Sequence, residues 1–171
     1  VPYFFVNPIK QQTWQARLGE KKQRRVGLVW SGSTQHKNDH NRSILLHSLQ
    51  SLFDLHVEFH CLQKEIREDD ADFAALQKNI YTHIECLDDF SDTAALIDAM
   101  DLVISVDTSV AHLAGALGKE TWILLPYVPD YRWMLDREDS PWYPTVKLFR
   151  QSAIGEWGGV INDIKKALQS R

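Results

Sequence analysis

The chain has 171 residues, 44% of them hydrophobic and 25% charged, the composition of one soluble globular domain with a single substantial core. Its net charge of −4 excludes a general affinity for nucleic acid, and the short basic run Lys21, Lys22, Arg24, Arg25 reads as a solvated lead-in to a strand. The cysteines Cys61 and Cys86 fit no metal or redox spacing and no apolar run is of transmembrane length, which points to a reducing, cytoplasmic setting.

Residues 1–25 open without Met, are polar and irregular, and read as a linker or interdomain strap of a longer protein. From residue 26 to 171 a regular pattern holds. Apolar runs predict strands at 26–30, 57–62, 80–84, 102–106, 121–125 and 146–149. Segments of helical period lie between them, at about 43–53, 68–78, 92–100, 109–117 and 157–169. Strands alternating with helices predict a doubly wound α/β domain with a mostly parallel, six-stranded, Rossmann-like sheet. With the usual strand order 3-2-1-4-5-6, the ligand crevice lies where the loops after the first and fourth strands meet.

Those two loops are also the most unusual in the sequence. The first, residues 31–42, offers hydroxyls at Ser31, Ser33 and Thr34, a close backbone approach at Gly32, and cations at Lys37 and Arg42. It carries neither a dinucleotide fingerprint nor a GxxxxGK[ST] phosphate loop. A solvated polar loop is the plain alternative. His36 and His40 sit one helical turn apart but have no acidic partner, so no metal site is assigned. Gln63 and Lys64, on the same edge after the second strand, can reach a ribose or phosphate. The acidic run Glu68, Asp69, Asp70, Asp72 is explained as surface charge at a helix start.

The loop after the fourth strand reads Asp107-Thr108-Ser109-Val110-Ala111-His112 and runs into an apolar helix. Asp107 or Thr108 can cap that helix, and the remaining free amides form a place for an anion such as a diphosphate. His112, in the first turn, is then a neutral hydrogen-bonding group. The plain alternative is a good cap and a satisfied histidine. Residues 126–144, with Trp133, Trp142 and Tyr143, form a long aromatic segment suited to a lid, a partner contact or a plug over the core.

The runs VGLVWSGS (26–33), His36-Lys37-Asn38-Asp39 with Arg42-Ser43, and DLVISVDTSVAHLAGALGKETWILLP (101–126) resemble glycosyltransferase family 9, the heptosyltransferase-like proteins of the GT-B fold. The tail 136–151 is similar to bacterial tetratricopeptide-repeat proteins that end in such a domain. The resemblance spans nearly all of 25–171 and implies the C-terminal half of a GT-B fold. By it, Asp107, Thr108 and His112 contact the phosphates and sugar of a nucleoside diphosphate sugar. Ser109 replaces the family's usual glycine, and Lys37 stands nearest to a phosphate-neutralising lysine. The general base lies in an N-terminal transferase domain missing from this chain, so the fragment alone is expected to be inactive. No cofactor or metal is implied.

The donor-site residues expected are therefore Ser31, Gly32, Lys37, Arg42, Gln63, Asp107, Thr108, Ser109 and His112. The alternatives are a non-catalytic nucleotide-sugar-binding or assembly module of a repeat protein, and a small hydrolase or phosphatase using His112 and Asp107. The last lacks a nucleophile-elbow pattern.

Overall fold

Six runs of aliphatic and β-branched residues form the spine of the molecule: β1 (Arg24–Val29), β2 (Val57–Cys61), β3 (Ile80–Tyr81), β4 (Leu102–Val106), β5 (Thr121–Leu125) and β6 (Val146–Arg150). The structure, a computed structural model, describes residues 6–21, 23–32, 43–125, 145–153 and 156–170. The strands make one sheet in the order β3-β2-β1-β4-β5-β6, every pair parallel. This is the expected order, and the sheet is wholly rather than mostly parallel. β4 and β5 are buried at all positions, because helices cover both faces and leave no solvent side for alternation.

Among the described residues four α-helices follow the strands: α2 (Glu68–Ala75), α3 (Phe90–Asp98), α4 (Ser109–Ala116) and α5 (Gly158–Gln169). The segment expected as a helix over 43–53 is instead a 3-10 helix, Leu46–Asp54. Its buried residues Leu46, Leu49 and Leu52 recur every third position, the period at which 3-10 side chains eclipse. The strand expected over 80–84 stops at Tyr81, and Ile84–Cys86 forms a short 3-10 turn.

One element contradicts the expectation of an irregular entry. Residues Pro8–Leu18 form a helix, α1, with Asn7 accepting from the Ile9 and Lys10 amides, Pro8 in the first turn, and Gly19 closing it at φ 73°. α1 lies on α3. Trp14 is its one buried residue, and the indole donates to Asp92 Oδ1 at 3.2 Å. Lys10 Nζ reaches the same oxygen at 3.0 Å, the Asp88 amide donates to Oδ2, and Gln11 donates to Asp98 at 2.7 Å. Burial would raise the Asp92 carboxyl, but the hydrogen bonds from Lys10, Trp14 and the Asp88 amide outweigh it and hold it below the usual range.

Candidate functional site

Val29 of β1 pairs with Ser105 of β4, so the chain leaves the sheet at Trp30–Gly32 and at Asp107–Thr108 from adjacent strands. Strand order reverses at this pair, which makes it the switch point of the sheet. The described start of the first loop, Ser31 and Gly32, therefore follows a strand adjacent to the one that leads into Asp107 and Thr108, and residues 33–42 lie outside the described residues.

Trp30-Ser31-Gly32 is held at nearly every polar atom. Gln63 Oε1 accepts from the Trp30 amide at 2.7 Å and the Ser31 amide at 3.1 Å, while its Nε2 donates to Ser31 Oγ and to the Glu65 carbonyl. The Trp30 carbonyl accepts from the Ile44 amide. The Gly32 amide donates to Ser43 Oγ, and the Gly32 carbonyl accepts from Arg67. The three backbone amides are thus committed inside the protein and are not spare donors for a ligand. Gln63, expected to touch ligand directly, has its hydrogen-bonding capacity met by the frame around Ser31.

Asp70 corrects a second expectation. It is 3% exposed, not a surface acid. Its Oδ2 accepts from the Trp30 indole at 3.0 Å and its Oδ1 from the Leu46 amide at 2.9 Å, so one carboxylate joins the two ends of the 31–45 segment. Position 70 also lies in the first turn of α2, where the helix dipole favours negative charge. No spacing rule links positions 30, 46 and 70. Ser43 and Arg67, also part of this frame, were missed for the same reason.

Across the switch point, Thr108 occupies the N-cap position of α4 with extended backbone but makes no side-chain cap hydrogen bond. Its Oγ1 lies 3.4 Å from Ser105 Oγ instead, and that serine donates to the Val106 carbonyl. The Thr108 side chain therefore does not make the expected cap. The first amides to turn back are those of Ala111 and His112, both to the Thr108 carbonyl. The amides of Ser109 and Val110 lie ahead of them, at the positive end of the helix. His112 Nε2 is 3.6 Å from Asp107 Oδ1, beyond a good hydrogen bond, and both side chains keep some exposure.

Ser31, Gly32 and Gln63 thus form one interlocked group beyond β1 and β2, while Asp107, Thr108, Ser109 and His112 are neighbours in the chain where the adjacent β4 runs into α4. Lys37 and Arg42 lie outside the described residues, as do His36, His40 and the 126–144 segment. Two open depressions among the described residues, of about 440 and 270 Å³, sit at the opposite, amino edge of the sheet. Neither belongs to this site. Among the described residues no three His, Cys, Asp or Glu side chains group to hold a metal, and no helix is long and apolar enough to cross a membrane.

A second polar cluster lies beneath α1. His60 Nδ1 is 2.9 Å from His83 Nε2, and His60 Nε2 is 3.1 Å from Glu58, which Arg25 approaches at 3.5 Å. Trp14 packs edge-on against His83 and Tyr81 stacks on His60. Burial, then the neighbouring His60 and Arg17, brings His83 down to about 4. Burial also lowers His60, against the opposing pull of Glu58. Cys61 is a buried free thiol pushed up to about 12, an inert core residue as expected.

The family model for glycosyltransferase family 9 (heptosyltransferase) matches residues 49–125, a stretch that contains Asp107 to His112 but not β1 or its loop. Protein FlbA of Caulobacter vibrioides is 36% identical over 81 residues, 47% of this chain and 13% of FlbA. Among solved structures, ADP-heptose lps heptosyltransferase II of E. coli aligns with a TM-score of 0.59 and 12% identity over 99% of this chain and 53% of its own. E. coli heptosyltransferase WaaC with ADP aligns at 0.62 and 12% over 94% and 48%. The spinosyn forosaminyltransferase SpnP aligns at 0.52 and 17% over 99% and 40%. The chain spans about half the length of the heptosyltransferases it superposes on and a small part of FlbA. The likeness to glycosyltransferase family 9 thus covers residues 49–125, and the solved structures share the Rossmann-like fold of the chain.

Proposed function

We propose that this chain is the donor-binding domain of a glycosyltransferase that moves a sugar from a nucleoside diphosphate sugar to an acceptor. The observation that carries this reading is that the Ser31 segment and the start of α4 follow adjacent strands at the β1–β4 switch point. The diphosphate lies against the Ser109 and Val110 amides, and Asp107 and His112 reach the sugar. Lys37 and Arg42 are assigned to the phosphates from the sequence. Charge growing on the leaving diphosphate meets fixed positive groups, so the reaction requires no metal in this half.

The domain is read as the C-terminal half of a GT-B protein acting in the cytoplasm, with residues 1–25 as the strap to an N-terminal transferase domain. That domain supplies the base and the acceptor site, and helical repeats belong to the same longer protein. By itself the chain binds donor and turns over little. Transfer from a panel of nucleoside diphosphate sugars is to be measured on the intact natural protein, with and without Asp107→Ala. Transfer reduced about tenfold or more in the variant at unchanged melting temperature is expected. Nucleotide-sugar binding without transfer by the unaltered protein would favour a non-catalytic binding or assembly module.

A further inference from the structure

The hydrogen bonds around Gln63 fix which way its amide faces, and that in turn fixes what Ser31 can do. Two backbone amides, of Trp30 and Ser31, converge on one terminal atom of Gln63, and only an oxygen accepts from both. The other terminal atom faces the Glu65 carbonyl at 3.0 Å, which demands a donor. The four contacts agree on one orientation, with the NH₂ toward Ser31 Oγ at 3.1 Å. Ser31 Oγ is therefore an acceptor from Gln63, and its own hydrogen is left over. Ser31 is 7% exposed, and no acceptor for that hydrogen is present among the described residues. A buried donor without an acceptor is costly until something supplies one.

We infer that Gln63 is a positioning residue that locks the Ser31 hydroxyl as a hydrogen-bond donor to an oxygen of the bound diphosphate. This rests on the donor-site reading above. A phosphate oxygen is the fitting partner because it accepts and, when ionised, does not donate. A ligand hydroxyl would be discriminated against only weakly, since it too can accept. Gln63→Glu keeps the oxygen that receives the Trp30 and Ser31 amides. It replaces the NH₂ with a second acceptor, which captures the Ser31 hydrogen and turns it away from the ligand.

The test titrates the protein with ADP, GDP and UDP, and with the matching nucleosides, for the unaltered chain, Ser31→Ala, Gln63→Glu and the double variant. Ser31→Ala deletes one hydroxyl, so it serves as the arm least exposed to folding defects, and melting temperature is followed throughout. Each single variant is expected to weaken the diphosphate about tenfold and leave its nucleoside unchanged, and the double variant to be no weaker than either single. Additive losses, or equal losses for diphosphate and nucleoside, would overturn the positioning role. Undiminished diphosphate binding by Ser31→Ala would overturn the Ser31 assignment and leave the donor site standing. Absence of diphosphate binding by the unaltered protein would overturn both.

Discussion

Asp70→Ala is expected to destabilise the protein by about 3 kcal/mol, because it strands two buried donors at once. The Trp30 indole and the Leu46 amide both end on that carboxylate, and each buried donor left unmet costs about 1–3 kcal/mol. For a domain of this size the melting temperature should fall by about 6–12 °C. Asp70→Asn retains one acceptor and the side-chain shape, so its cost should be smaller, about 1–2 kcal/mol. Thermal unfolding of the two variants measures this ordering, and an Ala variant as stable as the parent would show that Asp70 does not join the loop ends. The site should feel the change as well. Trp30 leads directly into Ser31, and Leu46 follows the far end of the same loop.

A second large effect is expected on acidification. His83 titrates near 4 in the folded protein and near its ordinary 6.5 when unfolded, so the unfolded chain binds more protons between these values. The stability it contributes is complete above 6.5 and is lost as pH falls toward 4, by on the order of 2 kcal/mol. His60, also lowered, acts in the same direction. The groups facing this pair are Arg17 and Trp14 from α1, Arg25 from β1, Glu58 from β2 and Tyr81 from β3. Asp92 and Asp101, whose carboxyls are held below 3.8, lose their contribution at lower pH, so the window between 6.5 and 4.5 reports mainly on the histidines. Urea unfolding at pH 7 and pH 4.5 should show a clear drop for the parent and a much smaller one for His83→Gln. Equal drops would remove His83 as the cause.

The contrast between α1 and β4 explains what the sequence disclosed. β4 is five consecutive buried residues, and burial on both faces writes itself as an unbroken apolar run. α1 buries only Trp14, so it has no apolar stripe to detect, and its anchors are polar groups 78 to 87 positions away. Its cap signals were legible: Asn7 and Pro8 at the start and Gly19 at the end. The switch point was legible for a different reason. Once six apolar runs alternate with helices, connection rules leave few topologies, and the usual one placed Ser31 and Asp107 together. The internal frame was not legible. That Gln63 would face Ser31 rather than a ligand, or that Thr108 would turn to Ser105 instead of capping α4, depends on distances no spacing rule encodes.

A diphosphate seated between the Ser31 segment and the first turn of α4 should be located by amide chemical-shift mapping during titration with ADP, GDP or UDP. The largest changes are expected at Ser109, Val110 and Ser31. Changes gathered at the amino edge of the sheet, around Asn79 or Glu120, would contradict this seating.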